Sequence, residues 1–305
     1  MASEPGTKLV ALVDRGLELF LSPATRHRSE RAILVVAIAS YLVHLILILL
    51  TNQGVIAAES KFLQNPISAI YTPFSFILVY EVYLLIYYLP RSTSYYIGKQ
   101  YEIITLIVIR RIFKDIGNLE LYSRWFSNEN DLQFTYDAAT SLILFLLIFV
   151  FYYKIIRREN PEQDGDEHRA GRFIFIKRFL AVLLVPVMFA LSLYSFMSWL
   201  GVAMNDQQSG METLGKLNNI FFDEFFSVLI IVDVFILLFS FFYSDQFHTI
   251  IRNSGFVIST ILIKMSFSIT GLLNNALIIG SVLFGVLILM IHNLFSEKLT
   301  READE

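Results

Sequence analysis

The sequence predicts an all-α, polytopic integral membrane protein with about eight transmembrane helices, built as two parallel four-helix repeats. Composition is the first reason: of 305 residues, 55% are hydrophobic and 17% are charged, whereas about 25% of a soluble domain is charged. The second reason is that long apolar runs alternate with short charged patches, as successive membrane spans do. The third is that the pattern of the first half of the chain recurs in the second half.

The N-terminal segment, residues 1–31, precedes the first long apolar run and is predicted to be cytoplasmic. Within it, Lys8–Leu21 places apolar residues at helical spacing, with Asp14, Arg15 and Glu18 between them. This amphipathic pattern favours a helix that lies on the membrane surface. A helix docked on another subunit and a frayed tail are the alternatives. The segment does not read as a signal peptide, because it has no continuous apolar core.

The first predicted repeat covers residues 32–158. Its four spans are predicted at Ala32–Thr51, Ser68–Leu89, Tyr95–Ile116 and Leu132–Lys154. The third of these is the least apolar, because charged residues flank and interrupt it. Its uninterrupted apolar stretch is too short to face lipid across the membrane. Neighbouring helices must therefore shield it, or it must line a polar cavity.

The second predicted repeat covers residues 172–296. A charged segment at 159–171 is predicted to link the two repeats in the cytoplasm, and residues 297–305 to form a cytoplasmic tail. The spans of the second repeat are predicted at Arg172–Leu200, Leu217–Tyr243, Thr249–Thr270 and Asn275–Phe295.

The duplication depends on charged matches, because apolar helices resemble one another by chance. Residues 73–82 align without gaps on 225–234, and residues 102–110 on 256–264. The first pair of segments matches an acid with an acid, Glu81 with Asp233. The second matches a base with a base, Arg110 with Lys264. Four spans in each half give both halves the same orientation, so the repeat is parallel, about an axis along the membrane normal.

The distribution of basic residues orients the chain. When both termini are placed in the cytoplasm, most of the 24 lysines and arginines lie on the cytoplasmic side, as the positive-inside rule requires. An even number of spans also returns the C-terminus to the side where the chain began. We therefore expect a protein of the plasma-membrane or inner-membrane type, with both termini cytoplasmic.

Charged residues within the predicted spans are the candidate pathway. Each costs on the order of 3 kcal/mol in the membrane interior, so each should face the bundle interior and be paired. The predicted pairs are Glu81 with Arg110 or Lys114, and Asp233 with Lys264. One interpretation is an ion or proton pathway; the other is a set of buried ion pairs that fix the register of the helices.

Three further acids lie early in their spans, at the predicted outer ends: Asp137, Asp223 and Glu224. They could form an outer mouth that attracts cations. Ordinary acids at helix N-termini look the same in a sequence, because they interact with the helix dipole.

Several kinds of chemistry are excluded by the sequence. There is no cysteine, so there is no disulfide and no thiolate nucleophile or metal ligand. No metalloprotease, nucleophile-elbow, phosphate-loop or dinucleotide motif is present, and there is no basic stripe for nucleic acid. His44 and His292 lie at different predicted depths, which disfavours haem. We expect no enzyme, no cofactor and no metal site.

Two functions remain. The first is an ion or proton channel or secondary transporter, which uses buried carboxylate–basic pairs in two pseudo-equivalent helix units. The alternative is a non-catalytic scaffold or accessory subunit of a larger membrane complex. The expected partners are the lipid bilayer, a small cation or a proton, and either further copies of this chain or a partner membrane subunit.

Overall fold

The chain is helical throughout the part that the structure describes. The computed structural model describes residues 5–55, 69–116, 129–156, 167–205, 212–243 and 246–304, and no β-strand occurs among them. The helices are α1 (Pro5–Phe20), α2 (Pro23–Asn52), α3 (Tyr71–Tyr88), α4 (Thr93–Ile116), α5 (Glu129–Ile156), α6 (Glu167–Asn205), α7 (Glu212–Tyr243), α8 (Phe247–Ser266) and α9 (Leu272–Asp304). The predicted all-α class is confirmed.

The helices coincide with the predicted segments. The amphipathic segment falls on α1, and each of the eight predicted spans falls on one helix from α2 to α9. Two boundaries differ. Helix α6 begins at Glu167, inside the predicted linker, of which residues 159–166 lie outside the described residues. Helix α9 continues through the predicted tail to Asp304, because no glycine or proline interrupts this stretch of good helix formers.

Five segments are long and apolar enough to cross a membrane. They are Lys8–Asn52, Asp131–Ile155, Gly171–Tyr194, Glu224–Tyr243 and Leu272–Leu299. A shorter apolar helix covers Thr72–Tyr88. These helices are compatible with a membrane-embedded protein, which is the coarse class that the composition predicts.

Helix α5 shows how such a segment divides its two faces. One face exposes large apolar side chains at helical spacing: Leu142, Phe145, Leu146, Phe149 and Tyr153. The opposite face is buried at Asp137, Thr140, Leu144, Ile148 and Phe151. An exposed face made of leucine and phenylalanine is typical of a helix whose outer side contacts lipid.

The first of two compact units contains the described parts of residues 1–90, 113–119 and 178–225. In this unit α1 packs closely against α6 at Gly16. A Cβ atom at this glycine would lie only 2.7 Å from Cγ1 of Val182. The Tyr83 hydroxyl of α3 donates to the Phe20 carbonyl at the end of α1, at 2.9 Å. Helix α1 is therefore tied to the other helices of its unit.

The second compact unit contains the described parts of residues 91–112, 120–177 and 226–305. Its central helix is α4, whose side chains are buried on nearly every side: Tyr96, Ile97, Gln100, Tyr101, Ile103, Ile104, Thr105, Ile107, Val108 and Arg110. This burial confirms that the third predicted span is shielded by its neighbours. Each unit takes helices from both halves of the chain, and the duplication stays a prediction.

Candidate functional site

A row of polar side chains follows α4 through the second unit. Its members on α4 are Thr93, Tyr96, Gln100, Tyr101 and Arg111, and we call them, with their partners, the α4 polar row. Thr93 and Arg111 are 18 positions apart, which is about 27 Å of helix at 1.5 Å per residue. This length is close to the roughly 30 Å hydrocarbon thickness of a bilayer.

Asp233 on α7 is the buried acid of this row. Its side chain is 3% exposed, and Nε2 of Gln100 donates to its Oδ2 at 3.1 Å. The cation that faces it is Lys177 of α6. Burial of Asp233 was predicted from its position in an apolar run and is confirmed.

Lys177 is buried at the start of α4. Its ammonium group donates to the Arg91 carbonyl at 3.0 Å and to Oγ1 of Thr93 at 2.9 Å. The Arg91 carbonyl is available because it precedes the first residue of α4. The same ammonium lies 4.8 Å from the centre of the Phe173 ring, an attractive cation–π contact. Lys177 therefore keeps polar partners although it is only 4% exposed.

Helix α8 closes this end of the row with an amide. Nδ2 of Asn253 donates to the Ser240 hydroxyl at 2.7 Å. Its Oδ1 accepts from Nε and Nη2 of Arg252 at 3.2 and 3.1 Å. The positive charge of Arg252 repels the Lys177 ammonium, whereas the Asp233 carboxylate attracts it.

A small cavity lies between these groups. Its polar lining comes from Thr93, Tyr96, Lys177, Asp233 and Asn253. The volume open to the centre of a water molecule is about 10 Å³, near the lower limit of roughly 10–15 Å³ for one water. Among the described residues, the buried Tyr96 hydroxyl has no hydrogen bond of good geometry, although the Asp233 carboxylate lies beside it.

The middle of the row is tightly packed around Tyr101. The Ser259 hydroxyl donates to the Ser281 carbonyl at 2.6 Å, so the Tyr101 hydroxyl donates to Ser259, at 2.8 Å. The Tyr101 ring packs edge-on against Phe151, with ring centres 5.1 Å apart. Gly285 of α9 leaves the space that the Tyr101 hydroxyl occupies. Hydroxyl groups thus continue the row where there is little free volume.

The opposite end of the row is an ion pair held by amides. Nε of Arg111 lies 3.3 Å from Oδ2 of Asp137. The Arg111 guanidinium donates to the side-chain oxygens of Asn274 and Asn275 at 2.7 and 3.1 Å. Asp137 accepts from Asn275 at 2.7 Å and from Gln133 at 2.9 Å. This cluster joins α4, α5 and α9.

The structure places the predicted pathway residues as follows. Glu81 of α3 is buried in the first unit, and Arg110 of α4 is buried in the second. Lys264 is half-buried in the last turn of α8, and the Lys114 side chain lies outside the described residues. Asp233 accepts a hydrogen bond from Gln100 and is attracted by the charge of Lys177, and its pairing with Lys264 stays a prediction.

The predicted mouth acids differ from one another. Asp137 is completely buried and is held by the Arg111 cluster. Glu224 is exposed, and the Asp223 side chain lies outside the described residues.

Sequence reasoning missed the roles of Lys177, Gln100 and Arg111. Lys177 stands among other cations at the start of the fifth predicted span, and nothing local marks it as the buried one. Gln100 is a lone polar residue in the least apolar span, which was the available signal for a buried contact. Arg111 is adjacent to Arg110 in the sequence. Only the packing of α4 shows that the two side chains have different surroundings.

The arrangement provides a buried carboxylate, a neighbouring cation, a water-sized cavity and a series of hydroxyl groups. Among the described residues, no group of three or more histidine, aspartate or glutamate side chains could hold a metal ion. The row therefore consists of three separate polar groups along α4: the surroundings of Asp233, the Tyr101–Ser259 pair and the Arg111–Asp137 cluster. The fold and this row define a helical protein with apolar helices fit to cross a membrane and a polar interior. No protein-family model, no curated protein and no solved structure matches the chain.

Proposed function

We propose that this protein moves an ion or a proton across the membrane, as a channel or secondary transporter, along the α4 polar row. The observation that carries the proposal is Asp233, a buried carboxylate that faces Lys177 across a water-sized cavity. The row around it extends over about the thickness of a bilayer.

Energetics support a functional interpretation of these charges. Each ionised side chain in a membrane interior costs on the order of 3 kcal/mol, and buried ion pairs can often be replaced by apolar residues without loss of stability. A bundle that only needed to fold would therefore gain little from Asp233 and Lys177. In membrane proteins, such charges are typical of proton relays and ion pathways.

The proposal includes the finer architecture. All eight helices from α2 to α9 cross the membrane as two parallel four-helix repeats, and both termini are cytoplasmic, in a membrane of the plasma or inner type. Burial of α4 by its neighbours supports a crossing by this less apolar helix. In this arrangement Glu81 is the pseudo-equivalent of Asp233 in the other repeat.

Single cysteines test the topology, because the chain has no native cysteine. We expect an impermeant maleimide to label Val55→Cys and Thr270→Cys in intact cells. Ala24→Cys and Glu297→Cys should react only after permeabilisation. All four positions are exposed: Val55, Thr270 and Ala24 lie at a helix end or in a connection, and Glu297 lies in the C-terminal part of α9. Labelling of Thr270→Cys only after permeabilisation would remove one crossing between α2 and α9 and contradict the eight-span arrangement.

Flux measurements on variants test the pathway. In liposomes, Asp233→Asn is expected to lower ion or proton flux to the level of empty liposomes, because the variant cannot carry the negative charge that attracts the ion. Glu297→Gln makes the same chemical change at an exposed position of α9 and should leave flux unchanged. Wild-type flux both in folded Asp233→Asn and in the folded double variant Glu81→Gln/Asp233→Asn would remove this carboxylate from the pathway. Flux that disappears only in the double variant Glu81→Gln/Asp233→Asn would assign a pathway to each repeat.

The second candidate is a non-catalytic membrane subunit. The observation in its favour is α1, which is tied to its own unit yet exposes Leu9, Leu12 and Leu19 on its outer face. Another membrane subunit could cover this face. Purification from the native membrane with a stoichiometric foreign subunit, lost in Leu12→Glu, would favour this candidate; a self-contained homo-oligomer would count against it.

A further inference from the structure

The cavity beside Asp233 distinguishes between the possible transported species. Asp233, Tyr96 and Thr93 are the side chains that bring oxygen atoms into it, together with the amide of Asn253. A bare metal cation in a membrane protein needs several oxygen atoms to replace its hydration shell. A hydrated cation needs more room than the volume of about 10 Å³ provides.

Most of these oxygen atoms are already used. Oδ1 of Asn253 accepts two hydrogen bonds from the Arg252 guanidinium. Oγ1 of Thr93 accepts from the Lys177 ammonium, and Oδ2 of Asp233 accepts from Gln100. Lys177 also forms part of the cavity wall, so its ammonium form places a positive charge beside the cavity. A second cation would be repelled there.

The volume of the same cavity is close to the minimum that one water molecule needs. The buried Tyr96 hydroxyl lines the cavity, and among the described residues it has no hydrogen bond of good geometry. A buried polar group without a partner costs stability, and ordered water commonly supplies that partner. A water placed here would lie next to the Tyr96 hydroxyl and the Asp233 carboxylate, which both line the cavity.

We propose that the transported species is the proton, which is loaded onto the Asp233 carboxylate through one water in this cavity, with Lys177 as the counter-ion. This inference rests on the transport function proposed above. In the loading step, an O–H bond of a hydronium ion breaks and an O–H bond forms on Asp233, which leaves water. Release is the reverse, and no oxidant or reductant is needed.

The charge of Lys177 affects how strongly Asp233 binds a proton. The groups that face the carboxylate are Tyr96 and Gln100 from α4, Lys177 from α6 and Thr260 from α8, and Arg252 acts on Lys177. Lys177 is the cation that stabilises ionised Asp233, so it competes with the incoming proton. When Asp233 is protonated, this attraction is lost.

The test uses proteoliposomes with a pH-sensitive dye inside, clamped at zero membrane potential, and a parallel assay with radioactive sodium and rubidium. We expect wild-type protein to carry protons down a pH gradient and to leave metal-ion uptake at the level of empty liposomes. Lys177→Met should move the pH of half-maximal proton flux upward, because a nearby opposite charge lowers the proton affinity of a carboxylate. Arg172→Met, which removes an exposed cation on the same helix, should keep the wild-type profile.

The outcomes separate this inference from the function on which it rests. Metal-ion uptake that depends on Asp233, without proton flux, would show that the transported species is not the proton, and it would support the transport function. A Lys177→Met profile that coincides with the wild-type profile would overturn the role of Lys177. The absence of any flux from folded wild-type protein would overturn the transport proposal itself.

Discussion

Gly285→Ala is expected to destabilise the protein more than any other single-methyl change in the second unit. A Cβ atom at this position of α9 would overlap the Tyr101 hydroxyl and lie 2.9 Å from Cζ of the same ring. Tyr101 is completely buried and packs against Phe151, so its ring has no free volume into which to move. Overpacking of this kind typically costs about 1–3 kcal/mol and sometimes more.

The same helix offers a matched control for this prediction. Gly280→Ala adds the same methyl group, but its Cβ would have no neighbour within 4 Å. It should be neutral or should stabilise α9 by roughly 0.5–1 kcal/mol through helix propensity. Thermal unfolding in detergent, followed by tyrosine and tryptophan fluorescence, measures the difference. Equal melting temperatures for the two variants would show that Tyr101 does not contact α9 at Gly285, whereas partial recovery in Gly285→Ala/Tyr101→Phe would identify the hydroxyl as the obstacle.

Arg111→Met is expected to have the second large effect. It removes the only cation shown near Asp137 among the described residues, and Asp137 is completely buried. An uncompensated buried charge costs about 3–5 kcal/mol when one partner of an ion pair is removed. The side-chain oxygens of Asn274 and Asn275 would also lose the hydrogen bonds that they accept from Arg111.

A double-mutant cycle identifies charge as the cause. Arg111→Met/Asp137→Asn removes both charges, so it should recover most of the stability lost in Arg111→Met. Arg172→Met, at an exposed position of α6, should cost little, because exposed charges contribute little to stability. Denaturation in a graded detergent series gives the coupling energy between the two sites. Strict additivity of the two changes would contradict an ion pair between Arg111 and Asp137.

The positions of the helices could be predicted from the sequence because they depend on local features. The lengths of apolar runs, their helical spacing and the breaks between them place each of α1–α9 along the chain, although the bounds of α6 and α9 differ from the predicted ones. Burial of Asp233 followed from the same information, since a charge in the middle of an apolar run has to face the protein interior. The extension of α9 to Asp304 was missed because polarity was taken to end the helix, whereas polar residues such as Glu297 and Lys298 continue a helix readily.

The partners of the charged residues could not be predicted, because they depend on which helices pack together. Lys177 lies near Asp233 only because the start of α6 packs against the start of α4 in the second unit. Asp137 resembles an ordinary acid near a helix N-terminus until Arg111 from α4 is placed beside it. Sequence patterns give the period and the ends of a helix, but they do not give its neighbours.

The decisive measurement is flux through purified wild-type protein in liposomes, under imposed proton, sodium and potassium gradients. If the α4 polar row is a pathway, we expect proton flux well above that of empty liposomes, and its loss in Asp233→Asn. A folded, correctly inserted protein that gives no more flux than empty liposomes under every gradient would contradict transport. Asp233, Lys177 and Arg111 would then be structural charges, and the chain would be better explained as a non-catalytic membrane subunit.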